Sequence, residues 1–198
     1  MASTVGLRER KKALTRAAIS RAALRLAIER GPDAITVDDI AAAADVSART
    51  VFNYFASKEE AILGFDPSRS LEVGQSVLER PARECPLTTL RAAFVEVATG
   101  VPEVAEVARA RVQLVRQHPQ LHPSYVAGYA ALEHALVDAI AHRTGLDPER
   151  SMYPRLVVST AITAFRLALD RAGPGKQASI AAIDEAFDAL AGGLRPPR

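Results

Sequence analysis

Apolar residues recur at helical spacing along nearly the whole chain. Ile19, Ala22, Ala23, Leu26 and Ala27 stand at i, i+3, i+4, i+7 and i+8, one stripe on a first helix predicted over residues 8–30. Gly31-Pro32 ends it, a C-cap glycine followed by a residue that cannot continue a helix. Two much shorter segments follow, at 37–44 and 48–55. Thr36 with Asp39 three residues on, and then Ser47, supply their N-caps. Ser57-Lys58-Glu59-Glu60 reads as a capping box opening a fourth helix over 58–65. After Gly64 and Asp66-Pro67 the segments lengthen: 68–80, 87–99, 103–117, 120–144, 148–172 and 177–192. Pro81, Pro86, Pro102, Pro119, Pro148 and Gly173-Pro174-Gly175 punctuate them. No stretch alternates with the period of a strand.

Two of the later segments differ from an ordinary surface helix. Leu156, Val157, Ala161, Ile162, Ala164, Phe165, Leu167, Ala168 and Leu169 surround most of the 148–172 helix, which predicts burial on two sides, one of them against another subunit. Ile180, Ile183, Phe187 and Leu190 give the 177–192 helix its own stripe. The expectation is a four-helix bundle, two such helices from each protomer of a homodimer, with Phe187 at its centre.

The short pair at 37–44 and 48–55, joined at Asp45-Val46, cannot bury much by itself. It has the proportions of a helix-turn-helix whose second helix protrudes to enter a major groove. On that helix Ser47, Ala48, Arg49, Thr50, Asn53 and Tyr54 take the outward positions. An arginine reads guanine bidentately, and Asn and Thr bond base edges or phosphates. Ser47, Tyr54 and Lys58 are candidate phosphate ligands, and Thr36 is a further candidate DNA contact. An αα-hairpin with a solvated outer face fits the same spacing. So does a helical enzyme or carrier that carries such a hairpin incidentally.

Charge favours the first reading. Residues 1–30 hold eight basic and two acidic side chains, a surplus of six, whereas residues 65–198 hold fifteen of each. On a chain of net charge +2, the basic end alone faces a polyanion. One cysteine, Cys85, excludes an intramolecular disulfide and a cysteine-based metal cluster. No apolar run reaches the roughly 18–20 residues of a membrane span, and Arg16, Arg21 and Arg25 interrupt any secretory h-region. These features predict a cytoplasmic protein with no membrane partner. His118 and His122 stand four apart, but Pro119 intervenes and no third ligand is near, so no metal site is expected. Gly173-Pro174-Gly175-Lys176 lacks the strand, outer glycine and hydroxyl residue of a phosphate loop. No cofactor motif and no nucleophile motif of an enzyme is present.

The residues around the short pair also carry a resemblance. Thr36-Val37-Asp38-Asp39-Ile40-Ala41, Ala44-Asp45-Val46-Ser47, Thr50-Val51-Phe52-Asn53-Tyr54-Phe55 and Ser57-Lys58-Glu59, at their mutual spacing, resemble the DNA-binding domain of TetR-family regulators. Ala22-Ala23-Leu24-Arg25-Leu26 and Glu29-Arg30-Gly31 resemble that family's first helix. Two positions depart from its pattern. Asp45 replaces a usual glycine, which Asp tolerates because it enters the left-handed region at modest cost. Phe52 replaces a common tyrosine and removes a phosphate-bonding hydroxyl. The resemblance implies an all-α regulator: a helix-turn-helix DNA-binding domain at residues 8–64 and a C-terminal bundle for ligand binding and dimerisation at 65–198. It implies a double-stranded DNA operator, a homodimer and release of a repressor by a small-molecule effector. Arg109-Ala-Arg111-Val-Gln-Leu-Val, Pro119-Gln-Leu, Gly145-Leu-Asp147-Pro148 and Ala168-Leu-Asp170-Arg171 are similar to the subgroup related to the mycofactocin regulator. That subgroup implies an acyl-CoA-like effector. Arg111, Gln113, Tyr125, Tyr129 and His134, with Arg109 and Arg116 beside them, are the polar candidates to line its site.

Overall fold

The computed structural model describes residues 6–99, 104–173 and 175–195, and all regular structure among them is helical. Ten α-helices succeed one another: α1 (Leu7–Arg30), α2 (Val37–Ala43), α3 (Ala48–Tyr54), α4 (Lys58–Leu63), α5 (Pro67–Glu79), α6 (Pro86–Thr99), α7 (Val104–Gln117), α8 (His122–Thr144), α9 (Tyr153–Arg171) and α10 (Lys176–Ala191). Short 3-10 turns at Pro32–Ala34 and Pro119–Leu121 precede α2 and α8. Pro102, residue 103 and Pro174, which figure in the predicted pattern, lie outside the described residues. No helix among the described residues is long and apolar enough to cross a membrane.

The ninth predicted segment begins late. Asp147 folds the chain into a turn, accepting from Glu149 N at 2.9 Å through its side chain and from Ser151 N at 2.9 Å through its carbonyl. Pro154 then occupies the first turn of α9, where its missing N–H costs nothing. One helix running unbroken from 148 would instead put that ring against the preceding turn.

The chain packs as two units. The first comprises the residues up to Phe65 together with Leu114–Gly128, and the second comprises Asp66–Gln113 and the chain from Tyr129 onward. Helices α7 and α8 each give one portion to each unit, so the first unit takes in more than the 8–64 stretch. Its core is the α1 stripe, Ile19, Ala23, Leu26 and Ala27, with Ile35, Ile40, Val51, Phe55 and the last turn of α4.

The second unit is built on a continuous apolar cluster from α5, α6, α8, α9 and α10. Phe94 stacks on Phe165 with ring centroids 4.5 Å apart and meets Phe187 at 6.1 Å. Arg91 joins α6 to α10 through Asp184 at 2.7 Å and Asp188 at 2.9 Å. This placement corrects the expectation for α10. Ile183 and Phe187 are fully buried in the protomer's own core, so Phe187 is not at the centre of a subunit interface. The apolar surface of α9 divides into a buried and an exposed side. Val158, Ala161, Ile162, Phe165 and Leu169 are buried, whereas Leu156 and Leu167 are 59% and 56% exposed.

Arg143, in the last turn of α8, organises the α5–α6 connection. Its guanidinium donates to the carbonyls of Val77 (3.1 Å), Arg80 (2.8 Å), Pro81 (2.8 Å) and Glu84 (3.3 Å), and to Thr89 Oγ1 (3.3 Å). Beside it Arg80 grips Glu84 with two bonds, which holds the Glu84 carboxyl below the usual carboxylate range. Removing one cation would orphan several carbonyls at once. Arg143→Ala is expected to lower unfolding stability by about 2–4 kcal/mol in urea titration. Arg143→Lys should restore less than half of that, because one ammonium cannot span five acceptors.

Candidate functional site

The turn between α2 and α3 decides how α3 is presented. Thr36 Oγ1 accepts from Asp39 N at 3.1 Å, while Asp39 Oδ2 accepts from Thr36 N at 2.8 Å, a complete capping box. The Thr36 hydroxyl also donates to the Asp39 carboxylate at 2.6 Å, and these bonds hold the Asp39 pKa below the ordinary aspartate value. At the other end of α2, Asp45 takes φ 55°. Asp45 N donates to Ala42 O at 3.3 Å and Val46 N to Ala41 O at 3.0 Å, the double bond of a Schellman cap. Asp thus carries the left-handed turn expected of it. Ser47 then caps α3, accepting from Thr50 N at 3.1 Å and sharing a 2.8 Å bond with the Thr50 hydroxyl.

Val51 and Phe55 anchor α3 in the core. Arg49, Phe52 and Asn53 are exposed on its outer side, while Ala48, Thr50 and Tyr54 are half-buried. Phe52, 58% exposed at one turn from Arg49, shares that side, a position the sequence pattern marks only by a missing hydroxyl.

The far end of α3 is fixed by Arg16, which composition only counts among the basic residues. Its guanidinium donates to the carbonyls of Tyr54 and of Phe65, the latter at 2.6 Å, and lies over the Phe55 ring at 4.1 Å. The signal is in the register: Arg16 is three residues before Ile19, on the buried face of α1. Lys58 also turns inward. Its Nζ donates to Pro32 O and Ile35 O, both at 2.9 Å, pinning α4 to the turn before α2. The capping box predicted at α4 is half formed: Ser57 accepts from Glu60 N at 3.1 Å, but Glu60 reaches back to Ala56 N at 2.9 Å.

The α7–α8 corner completes this unit. Gln120 Nε2 donates to both carboxylate oxygens of Asp33 at 2.9 Å. The Phe65 ring meets Tyr125 edge-on at 5.9 Å and fills the space over Gly128, where a Cβ would lie 2.0 Å from it.

The polar residues expected around an effector differ in exposure and in the unit they belong to. Tyr125 is buried in the first unit. In the second, Gln113 is exposed, and His134 is exposed with its Nδ1 bonded to Ala130 O at 2.7 Å, so neither is interior. His134 shares the helix with Leu132 and Leu136 but not the side that turns inward. Arg109 caps the end of α9, donating to Ala172 O at 3.0 Å and to Gly173 O. Arg116 is exposed. Arg111 and Tyr129 remain. Burial pushes the Arg111 pKa down to about 10, with the Tyr129 side chain opposing the shift, and Tyr129 packs against the second unit's core beneath Arg166, 5.3 Å from its ring. Arg111 stays protonated at neutral pH. Cys85 is exposed at the start of α6, its thiol lowered by hydrogen bonds with Thr88. Among the described residues no three His, Cys, Asp or Glu side chains are placed to hold a metal ion.

A short helix projected from a capped turn and backed by a long support helix defines a helix-turn-helix regulator. The chain belongs to the TetR family of bacterial regulatory proteins: residues 19–63 match the family's N-terminal model, and residues 84–195 match the MftR C-terminal domain. It is 34% identical to the HTH-type transcriptional regulator TcmR of Streptomyces glaucescens, over 96% of this chain and 87% of that one. It is 29% identical to MftR of Mycobacterium tuberculosis, named as a mycofactocin biosynthesis transcriptional regulator, over 93% of each. The fold is shared with Thermus thermophilus FadR, solved in complex with lauroyl-CoA, at TM-score 0.55 and 24% identity, covering 92% of this chain and 96% of that one. Bacillus halodurans FadR shares it at TM-score 0.60 and 17% identity, covering 92% and 97%. These relatives are transcriptional regulators, which removes the enzyme or carrier reading of the sequence.

The inward bonds of Lys58 give it a role that does not depend on DNA. Lys58→Ala is expected to lower stability by about 1–3 kcal/mol in urea unfolding without nucleic acid. Unchanged stability in that measurement would show that these two bonds do not hold α4 in place.

Proposed function

We propose that this TetR-family regulator is a homodimeric repressor that reads a palindromic operator with α3 and is released by an acyl-CoA or similar amphipathic anion. The observation that carries the first part is the outward Arg49, Phe52 and Asn53 on a seven-residue helix whose inner side is locked by Val51 and Phe55. An exposed guanidinium and carboxamide one turn apart suit bidentate readout of guanine and adenine. Ser47, Ala48, Thr50 and Tyr54 flank them, Thr36 caps the helix before, and backbone amides near these caps suit phosphate oxygens. Residues 8–64 form the reading head, and 65–198 serve effector binding and dimerisation, with the 114–128 corner packed into the head.

Dimerisation places two α3 helices on successive major grooves, about 34–36 Å apart. The surface that suits a two-fold contact is the outer side of α9, where Tyr153, Leu156, Thr163 and Leu167 recur at helical spacing and are exposed. For the effector, the desolvated Arg111 beside Tyr129 supplies a cation in an apolar setting, which suits a phosphate or carboxylate. The similarity to the MftR C-terminal domain and to a lauroyl-CoA-bound FadR supports a fatty acyl thioester.

The test begins with selection of bound genomic fragments, followed by anisotropy titration of the recovered operator. Arg49→Ala should cost about 1–3 kcal/mol on that site and relax discrimination at one base pair. Equal weakening on scrambled DNA would remove Arg49 from base reading. A chain-length series of acyl-CoAs should weaken wild-type binding about 5–150-fold, with operator weakening thioester binding by the same factor. No binding across the series would eliminate the thioester. Leu156→Glu with Leu167→Glu should give a folded monomer in light scattering, since both side chains are exposed. A persistent dimer would move the interface off α9.

A further inference from the structure

Helix α1 is longer than its packing requires. Its buried stripe starts at Ile19, yet the helix starts at Leu7. Between them Arg8, Arg10, Lys11, Lys12, Ala13, Leu14, Ala17 and Ala18 are exposed, and Thr15 and Arg16 are half-buried. The described side chains of the first two turns therefore add nothing to the core.

The charge of these turns is also placed against the helix. Arg8 is three and four residues from Lys11 and Lys12, so like charges sit side by side on one face. Arg8 and Arg10 stand in the first turn, where the backbone dipole is already positive and where Gly6 supplies no side-chain cap; Lys11 and Lys12 follow in the second, and Glu9 is the single acidic residue among them. Local stability would favour acidic residues there. A segment that gives up helix stability to concentrate positive potential suits a polyanion.

The position of that potential follows from Arg16. Its guanidinium holds Tyr54 O, at the last residue of α3, and covers Phe55. Residues 8–12 then lie roughly 6–12 Å further along the α1 axis, from 1.5 Å per residue. We infer that this amino-terminal extension of α1 is a second DNA-binding element, in which Arg8, Arg10, Lys11 and Lys12 engage backbone phosphates flanking the base pairs that α3 reads. This rests on the operator-reading function proposed above. It assigns the extension affinity and footprint length and assigns α3 the sequence preference.

The test uses the full chain with Arg8, Arg10, Lys11 and Lys12 all changed to Gln, a good helix former without charge. Binding to the recovered operator and to a scrambled duplex is followed across 50–200 mM salt. Each lost phosphate contact should reduce the slope of log K against log salt by about 0.9. The expected result is a slope shallower by roughly 2–4, affinity lower on both duplexes by a similar factor, and an unchanged operator-to-scrambled ratio. Trimming the duplex to the bases α3 reads should weaken the wild type and leave the variant unaffected. An unchanged slope, or equal loss on trimming for both proteins, would overturn the inference while leaving operator reading intact. A loss confined to the operator duplex would overturn it as well, by making these residues base readers. A wild type that does not prefer the operator would instead sink the functional reading on which this rests.

Discussion

One guanidinium holds the reading head together. Arg16 is half-buried, and its charge is met by the last carbonyl of α3, by the carbonyl of Phe65 and by the face of Phe55. Charge-assisted bonds to carbonyls that have no partner within their helix are stronger than neutral ones and have demanding geometry. The result is a fixed angle between the support helix and the helix that meets DNA. Without it, α3 would be held only by Val51, Phe55 and a two-residue turn.

The same residue ties the head to the α7–α8 corner. The Phe65 carbonyl is one of the acceptors of Arg16, and the Phe65 ring lies over Gly128 and against Tyr125. At the other side of the unit, Gln120 holds Asp33 in the turn after α1. The corner is thereby part of the head, while both of its helices continue into the second unit.

Local features are legible in the sequence because they are encoded locally. The caps at Thr36 and Ser47 and the left-handed Asp45 each involve residues within a few positions of one another. Proline and glycine place most helix boundaries for the same reason. Several of the differences concern which of two faces points inward. The α10 stripe of Ile183 and Phe187 is real, but periodicity does not say whether a stripe meets its own core or a second copy. His134 follows the same helix as Leu136 and turns outward. The sequence offers Lys58 as a phosphate ligand and Arg109 beside the effector candidates, and it does not show that each satisfies backbone carbonyls distant along the chain. Those acceptors exist only once the chain is folded, so no window of residues could show them. The membership of 114–128 in the head has no local signal either, apart from a glycine in the middle of a helix.

That membership bears on how members of such a family exchange their parts. A head transplanted as one continuous segment ending at Phe65 would leave behind the Gln120 partner of Asp33, the Tyr125 edge and the Gly128 notch. It would arrive with an aromatic ring and a carboxylate facing whatever the new bundle offers. Recombination at the apparent domain boundary is therefore penalised by geometry, and a compatible graft has to be discontinuous. The packed reading head of this chain is two pieces of sequence, the residues up to Phe65 and Leu114–Gly128.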